Sequence, residues 1–308
     1  MKVVVTGGAG FIGSHIVERW VDEGAEVHII DNLRSGFRKN IEEFSSVYFH
    51  EGSITDKELV FNVLRETDYV HHLAAMVSVP ESVENPSECV DININGLLNI
   101  LSASNKYGVK KVVFSSSAAV YGDLPGLPKK IDSPVFPKSP YGITKLDGEF
   151  YLNMFSEQYG LNTVSLRYFN VFGSKQNPLS QYAAAVPIFI ERALKNVPIV
   201  IYGDGDQTRD FIYVKDVVEA NFIAATNKNV NGLFNIAFGE KITINDLAKK
   251  IISLTSSKSE IIYEKERKGD IRHSFAAIKE TEEHLGFFPK HSLEEGLKAT
   301  IAHYASII

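Results

Sequence analysis

Short apolar runs alternate with segments of helical periodicity through the first half of the chain. Residues 3–5 and 26–30 are apolar runs, and they flank a helical pattern over 11–23 that ends at Gly24. Apolar runs without polar alternation are typical of strands buried on both faces of a parallel sheet. The pattern therefore predicts a β-α-β unit at the start of the chain.

The same alternation continues as far as residue 170. It predicts strands at 47–51, 69–73, 112–115 and 162–168, and helices at 57–65, 89–107 and 141–159. Strands that alternate regularly with helices favour an α/β fold built on a doubly wound parallel sheet of the Rossmann type.

Beyond residue 170 the rhythm breaks. Prolines at 178, 187 and 198 interrupt the pattern, and residues 203–206 form a Gly-Asp-Gly-Asp turn. We expect a smaller lobe made of residues 171–212 and 239–308. Residues 213–238 contain a helix and a strand that we expect to return to the larger domain, residues 1–170, so that the two parts are interleaved.

Composition and charge narrow the class of protein. The chain has 308 residues, 44% of them hydrophobic, and a net charge of −6 with no run of Lys or Arg, so nucleic acid is not an expected partner. Cys89 is the single cysteine, which excludes an intrachain disulfide and a cysteine-based metal site; we predict no metal. No signal peptide and no apolar stretch of about 18 residues is present, so we expect a cytoplasmic protein without membrane contact.

A glycine-rich turn follows the first strand. Gly7, Gly10 and Gly13 have the spacing that lets a backbone turn approach a pyrophosphate at a helix N-terminus. Asp31 ends the next strand, where a carboxylate binds the ribose diol and repels a 2′-phosphate. The pattern favours NAD, although the nearby Arg34 keeps NADP open.

A second group of polar residues predicts the chemistry. Ser115–Ser117 follow the strand at 112–115, and hydroxyls at a strand's carboxyl end face the ligand crevice. Tyr141 and Lys145 are four residues apart and share one helix face. We expect the Lys145 cation to lower the pKa of the Tyr141 phenol. The two groups together indicate a hydride-transfer enzyme with a tyrosine acid/base.

The residues that carry these motifs resemble the extended short-chain dehydrogenase/reductases, and within them the nucleotide-sugar 4-epimerases of the UDP-galactose 4-epimerase type. The similar segments span almost the whole chain: TGGAGFIGSH (6–15), DNLRSG (31–36), HHLAA (71–75), SSSAAVYGD (115–123), SPYGITK (139–145), RYFNVFG (167–173), GDGDQTRDFIYVKDV (203–217) and RKGDIRHS (267–274).

The resemblance implies a role for each matched position. Tyr141 is implied as the acid/base, Ser117 as the group that orients the sugar hydroxyl, and Lys145 as the residue that holds the nicotinamide ribose. The implied NAD-binding residues are Gly7, Gly10, Phe11, Ile12, Gly13, Asp31, Asn32, Ser53, Ile54, Leu73, Ala74, Ala75, Asn93, Ser115, Tyr141, Lys145 and Tyr168. The implied UDP-sugar-binding residues are Ser78, Ser117, Asn170, Gln176, Val186, Val200, Tyr202, Arg209, Arg267, Asp270 and Ser274.

Two differences from the family pattern refine this picture. Ser53 stands where many relatives have an aspartate that contacts the adenine amino group, so NAD binding is expected to be weaker at that point. Ala118 and Ala119 stand where family members that eliminate water carry an acidic pair and where decarboxylases keep a glutamate. Alanine transfers no proton, so the resemblance favours 4-epimerisation.

The preferred sugar is predicted from three positions. Ser274 matches a position where a tyrosine restricts relatives to plain hexoses, and Ser78 and Gln176 resemble positions in epimerases that prefer N-acetylated sugars. We favour UDP-GlcNAc and UDP-GalNAc, with UDP-glucose and UDP-galactose still open. The resemblance also implies a homodimer formed through the helices at 89–107 and 141–159.

Two other functions stay open. One is a UDP-glucuronate 4-epimerase or another nucleotide-sugar-modifying enzyme of this fold, although we find no extra cation for a sugar carboxylate. The other is a non-catalytic NAD-binding sensor, which would be free to lose Tyr141 or Lys145.

Overall fold

The structure is a computed structural model, and it describes residues 1–177, 184–266 and 271–308. Within these ranges the strands are Lys2–Thr6 (β1), Glu26–Asp31 (β2), Val47–Glu51 (β3), Tyr69–His72 (β4), Lys111–Ser117 (β5), Thr163–Tyr168 (β6), Asn170–Phe172 (β7), Ile199–Tyr202 (β8), Thr208–Arg209 (β9), Phe211–Tyr213 (β10), Gly232–Ile236 (β11), Ile242–Thr243 (β12), Ile261–Glu264 (β13) and His273–Ser274 (β14).

The α-helices of the same ranges are Phe11–Asp22 (α1), Lys57–Val63 (α2), Val79–Glu84 (α3), Pro86–Val90 (α4), Gly96–Tyr107 (α5), Pro140–Tyr159 (α6), Ala185–Leu194 (α7), Val214–Thr226 (α8), Ile244–Thr255 (α9), Lys279–His284 (α10) and Leu293–Ala305 (α11). None of these helices is long and apolar enough to cross a membrane.

In the described part of the chain, seven strands form one parallel sheet, which we call the main sheet, in the order β11-β6-β5-β4-β1-β2-β3. The predicted α/β doubly wound sheet is confirmed. Strand order reverses between β1 and β4, and the crevice outside the carboxyl ends of strands at such a reversal is where ligands bind in these sheets. β11 pairs with β6 at the edge of the main sheet.

Both faces of the main sheet are covered. Val3 and Val5 pack into one core cluster with residues of α1 and α8, while Val4 packs into another with residues of α2, α5 and α6. Alternate residues of one strand thus enter opposite cores. This explains why the strands appear in the sequence as unbroken apolar runs.

A second set of short strands lies outside the main sheet, and we call it the small-sheet region: β7–β10 and β12–β14, with α7, α9 and α11. Its pairs are β7 with β10, β8 with β13, and β9 between β12 and β14. Register places Thr208 beside His273 and Arg209 beside Ser274. A separate apolar cluster that includes residues of α7, α9 and α11 holds the region together.

The helix predicted over 89–107 differs from the structure in two respects. It begins earlier, at Pro86, and Asp91–Asn95 form one π-helical turn between α4 and α5. Such single π turns concentrate at functional sites. Here the turn carries Asn93, whose side chain is buried against the loop after β4.

Candidate active site

The glycine turn after β1 leaves no room for side chains. Gly7 has φ +72°, and a Cβ on it would lie 2.8 Å from the Ala74 backbone nitrogen. A Cβ on Gly13 would lie 2.1 Å from the Gly7 carbonyl oxygen. Gly10 is the N-cap of α1. This close backbone packing at a helix N-terminus fits the pyrophosphate of a dinucleotide.

Asp31 lies at the end of β2 beside this turn. Its Oδ2 accepts from the Ala9 amide at 3.0 Å and its Oδ1 accepts from the Leu33 amide at 2.8 Å. Burial raises the pKa of its carboxyl, against the lowering effect of the two amides. Each oxygen of a carboxylate has a second lone pair, so Asp31 still has the capacity to accept from ribose hydroxyls.

Arg34 is the residue that left NADP open as a cofactor. In the structure its guanidinium is paired with two carboxylates. Its guanidinium lies 2.8 Å from Glu81 and forms a two-pronged contact with Glu88 at 2.5 and 3.1 Å. Two carboxylates around one guanidinium leave a net negative charge near the end of β2. The arrangement therefore favours NAD over NADP.

The residues predicted to meet the adenine are built into a turn after β3. Ser53 Oγ bonds Thr55 Oγ1 at 2.8 Å, within its own turn. Ile54 is buried and packs against Gly96 of α5, where a Cβ would lie 2.5 Å from the Ile54 side chain. Asn32 accepts from the Arg34 amide at 3.2 Å.

Side chains of Thr6 and Asn93 hold the loop after β4 in place. This loop carries Leu73, Ala74 and Ala75. Thr6 Oγ1 accepts from the amides of Leu73 and Ala74, both at 3.2 Å. Asn93 accepts from the Met76 amide at 2.7 Å and donates to Thr144 Oγ1 at 2.9 Å. Asn93 thus supports the loop predicted to touch the cofactor, a role the sequence did not reveal.

Strand β5 ends in Ser115–Ser117, and we call it the serine strand. Its Ser115 forms one hydrogen-bonded group with Tyr168. Ser115 Oγ lies 3.0 Å from the Tyr168 hydroxyl, which also contacts Asn221 of α8. Burial raises the pKa of Tyr168 to about 12, so its phenol stays neutral. Tyr168 is therefore a neutral phenol that hydrogen bonds to Ser115 and Asn221 hold in place beside the serine strand.

Tyr141 lies in the first turn of α6, and its environment differs from the expectation. Burial raises the pKa of the Tyr141 phenol, and the hydrogen bond with Ser117 only partly offsets this. The expectation that the pKa of Tyr141 is lowered is thus wrong for this structure, because desolvation is the largest effect on the phenol. The Lys145 ammonium lies 5.8 Å from the centre of the Tyr141 ring.

Lys145 is buried below Tyr141. Its Nζ donates to the Ser115 carbonyl oxygen at 2.8 Å and lies 4.8 Å from the centre of the Phe114 ring. Burial lowers the pKa of Lys145 to about 8. His72, the neighbour on β4, has its pKa lowered to about 3 by burial and then by Lys145, so it is neutral and accepts or donates only locally.

A cavity of about 470 Å³ opens in the small-sheet region. It brings together five residues predicted to bind the UDP-sugar: Asn170, Val186, Val200, Tyr202 and Arg209. Asn170 is anchored by donation to the Asp210 carbonyl oxygen at 2.8 Å. A mostly apolar cleft with a few polar groups is the usual form of a small-molecule site.

Other predicted substrate residues lie outside this cavity. Ser78 caps α3 by accepting from the Glu81 amide at 3.2 Å. The Gln176 amide group donates to the Val171 carbonyl at 3.4 Å. Ser274 pairs with Arg209 at the adjoining strand. Arg267 and Asp270 lie outside the described residues.

Sequence reasoning missed two residues next to the cavity. Gln207 lines it and donates to the Tyr202 carbonyl at 2.8 Å. Asp210 is fully buried and accepts from the amides of Phe238, Gly239 and Ala276. Burial raises its pKa to about 6. Both residues belong to the segment GDGDQTRDFIYVKDV, which was the available signal.

The arrangement suits hydride transfer at a hydroxyl with a tyrosine as the acid/base. Tyr141, Ser117 and Lys145 meet at the carboxyl end of β5, two strands away from β1 and its glycine turn in the main sheet. Within the described residues, no cluster of three or more His, Cys, Asp or Glu could hold a metal ion. A dinucleotide fits the glycine turn and Asp31.

Comparison with known proteins agrees with this geometry. The model of the NAD dependent epimerase/dehydratase family matches residues 3–237. A UDP-N-acetylglucosamine 4-epimerase from Methanobrevibacter ruminantium M1, solved with UDP-N-acetylmuramic acid, is similar with 43% identity and a TM-score of 0.96, covering 100% of this chain and 99% of that one. A UDP-glucose 4-epimerase from Thermotoga maritima, solved with UDP-glucose, has 42% identity, a TM-score of 0.96 and the same coverage.

A curated relative extends the likeness. The UDP-glucose 4-epimerase of Mycolicibacterium smegmatis is 35% identical over 310 residues, which span 99% of this chain and 98% of the relative. The predicted NAD cofactor and the predicted isomerase class, a sugar-nucleotide 4-epimerase, are confirmed. This chain belongs to the NAD dependent epimerase/dehydratase family.

Proposed function

We propose that this enzyme interconverts UDP-GlcNAc and UDP-GalNAc by inverting the sugar's C4 hydroxyl, and that it also accepts UDP-glucose and UDP-galactose less readily. The observation that carries the proposal is Ser274, a small residue in register with Arg209 beside the cavity. A serine in place of a bulky ring leaves space for an acetamido group. The relative from M. ruminantium, named for UDP-GlcNAc, supports the same preference.

Ala118 and Ala119 favour epimerisation over the family's other reactions. They follow Ser117 directly and form a 3₁₀ turn at the mouth of the serine strand. Elimination of water from a 4-keto sugar needs an acid and a base near C5 and C6. Methyl groups offer neither, so the hydride that leaves C4 returns to C4.

Tyr141 is the group that we expect to move the proton of the C4 hydroxyl. Ser117 shares a hydrogen bond with its phenol, so the two hydroxyls can hold one substrate oxygen between them. When bound, NAD supplies the hydride acceptor and donor and adds a positive charge near the phenol. That charge opposes the desolvation that raises the pKa of Tyr141 in this structure.

Lys145 is expected to hold a ribose hydroxyl and to stabilise the Tyr141 phenolate. Its buried ammonium is fixed by the Ser115 carbonyl at 2.8 Å and cannot swing away. A cation that is already in place costs no reorganisation when negative charge develops on the phenol.

Epimerisation also requires that the 4-keto sugar present its other face. Binding energy must then come from the part of the substrate that does not react. The cavity supplies this through Asn170, Tyr202 and Arg209, which are held by the small-sheet region. Arginine suits a diphosphate because its guanidinium fork can contact two oxygens.

A UDP-glucuronate 4-epimerase is the second candidate. It would need a further cation for the sugar carboxylate. At the carboxyl end of β5, the buried cations among the described residues are Lys145, which the mechanism already uses, and Arg167, which is paired with Glu149. A non-catalytic NAD sensor is disfavoured because Ser117, Tyr141 and Lys145 are assembled in one geometry that binding alone does not need.

We also propose that the enzyme acts as a homodimer. Ile143 and Phe150 lie seven residues apart on α6 and are 47% and 62% exposed, and Val83 and Val90 on α3 and α4 are 59% and 47% exposed. Exposed apolar residues at helical spacing suit a helix-pairing interface. Light scattering of wild type and Phe150→Asp tests this, and a monomeric wild type at micromolar concentration contradicts it.

The decisive experiment offers UDP-GlcNAc and UDP-glucose separately, without added cofactor, and resolves the products by NMR. Faster conversion of UDP-GlcNAc to UDP-GalNAc, abolished in Tyr141→Phe, supports the proposal. Conversion of UDP-glucose alone contradicts the argument from Ser274 and keeps the epimerase. A lack of any 4-epimer would favour the glucuronate reaction, which is then assayed with UDP-glucuronate.

A further inference from the structure

A buried carboxylate that the mechanism does not use lies one turn beyond Lys145. Glu149 accepts from Ser116 Oγ at 2.5 Å and from Arg167 Nε at 2.8 Å through Oε1, and from Arg167 Nη2 at 2.6 Å through Oε2. Its side chain is 8% exposed and that of Arg167 is 4% exposed. A protein is often equally stable when well-packed apolar residues replace a buried ion pair. Stability alone therefore does not explain this pair.

The position of the pair relates it to the catalytic residues. Ser116 lies between Ser115 and Ser117 on β5, and β6 places Arg167 directly beside Ser116. Glu149 is on α6, the helix of Tyr141 and Lys145. The carboxylate thus joins the catalytic helix to two strands at the level of the site.

We propose that Glu149 is a positioning residue for the reaction, in which its carboxylate, held by Ser116 and Arg167, locks α6 onto the serine strand and places a fixed negative charge below Lys145. The role of Lys145 in the reaction rests on the proposed function, whereas the position of Glu149 relative to Lys145 does not.

The charges around Lys145 support this assignment. The titratable groups that face it are Tyr141 and Glu149 on α6, His72 on β4 and Cys89 on α4. Burial lowers the pKa of Lys145 to about 8, while Cys89 and Glu149 raise it. His72 is neutral, and thiols and phenols are mostly neutral near pH 7. Glu149 is the carboxylate in this set, and both of its oxygens accept from the Arg167 guanidinium.

The test follows the protonation of Lys145 directly in the NAD-loaded protein. We would label lysine side chains with ¹³C at Cε, identify the Lys145 signal by its absence in Lys145→Met, and titrate it by NMR. In Glu149→Gln the midpoint is expected to fall by about one pH unit, because a nearby opposite charge favours the charged form. In Glu149→Gln/Arg167→Met it should also fall, but by less, because the paired Arg167 cation is removed as well. Ser116→Ala, which removes one hydrogen bond and no charge, is the matched control and should keep the midpoint.

The double variant removes both charges and decides the question if Glu149→Gln, which leaves Arg167 buried and unpaired, does not fold. In active variants the alkaline limb of the pH profile of kcat/KM should move in the same direction. An unmoved Lys145 midpoint in the folded variants, even with lowered Tm, overturns the proposal and leaves a structural ion pair. A wild type that forms no 4-epimer contradicts the proposed function, while the NMR midpoint still decides this inference.

Discussion

The dinucleotide side of the crevice and the sugar-nucleotide side are assembled in different ways. Gly7, Gly13 and Asp31 come from one β-α-β unit, whose strands pair along five residues of β1 and β2. Arg209 and Ser274 come from strands of two residues that are far apart in sequence. The first site is made by close backbone approach within one unit, and the second by residues from distant parts of the chain that neighbouring short strands bring side by side.

This difference teaches where each side is vulnerable. Long paired strands fix the glycine turn, so damage there requires a clash with the backbone itself. The two-residue strands of the small-sheet region have few ladder bonds, and buried polar groups such as Asp210 hold them in place. We therefore expect changes on the first side to reduce cofactor retention and kcat, and changes on the second to alter KM and specificity.

The largest expected effect lies at the proposed catalytic residues. Tyr141→Phe keeps the ring and removes the proton-transferring hydroxyl, so kcat should fall by about 10²- to 10⁴-fold. Product formation followed by NMR measures this, and bound NAD should be retained. Activity within a few-fold of wild type would contradict the role of Tyr141.

On the dinucleotide side, Gly13→Ala should cause loss of most of the bound NAD. The new Cβ would lie 2.1 Å from the Gly7 carbonyl oxygen, so the turn has to move. Absorbance of NAD released from the denatured protein measures retention. Gly10→Ala, whose Cβ would lie at 3.1 Å from the same oxygen, is the milder control; equal NAD content in all three proteins would contradict the backbone argument.

On the sugar-nucleotide side, Arg209→Ala should raise KM for the UDP-sugar by about 10- to 100-fold, because a charge-assisted contact contributes about 1.5–3 kcal/mol. The change in kcat should be smaller. Arg272→Ala is the matched control, since Arg272 pairs on the surface with Asp204 at 2.7 Å and such pairs contribute little. An unchanged KM in Arg209→Ala would remove Arg209 from the site.

Ser274→Tyr tests whether the small side chain at position 274 sets the preference for N-acetylated sugars. The ring should fill the space assigned to the acetamido group and lower the preference for UDP-GlcNAc over UDP-glucose by about 10-fold, a typical effect of pocket size. Competition between the two substrates in one NMR sample gives the ratio of kcat/KM. Ser274→Ala should keep the wild-type ratio, and a Ser274→Tyr ratio equal to it would refute the assignment.

The smallest effect concerns the stability of the small-sheet region. The pKa of Asp210 is about 6 in the fold against an ordinary 3.8, so between pH 4 and 6 the folded state binds a proton more readily than the unfolded state. Ionised Asp210 therefore weakens the fold above pH 6, and the weakening is relieved as pH falls. From pH 6.5 to 5.0, wild type should gain about 1 kcal/mol relative to Asp210→Asn.

Urea unfolding at the two pH values measures this double difference, which cancels the titration of the other carboxylates. The Asp210→Asn variant should also be less stable than wild type at both pH values, because its amide NH₂ cannot accept from backbone amides. Parallel pH dependence of the two proteins would show that Asp210 does not titrate in this range.

Much of the dinucleotide side follows from local sequence. Apolar runs, the Gly7–Gly13 spacing and Asp31 predict the β-α-β unit, and the four-residue spacing of Tyr141 and Lys145 predicts their shared helix face. These features depend on neighbours along the chain, whose geometry is set by the helix and strand periods. The π turn at Asn93 was not predictable in this way, because it depends on Met76 and Thr144 on other elements.

By itself, then, the sequence determined the fold class, the cofactor motif and the residue types of the catalytic group. Only the tertiary structure decided how each side chain behaves: Arg34 is held by Glu81 and Glu88, Tyr141 has a raised pKa, and Glu149 lies below Lys145. Helix and strand periods depend on neighbouring residues, so the sequence predicts the backbone elements. Desolvation and charge pairing instead depend on residues distant in sequence, which exclude water from a group or place a charge beside it.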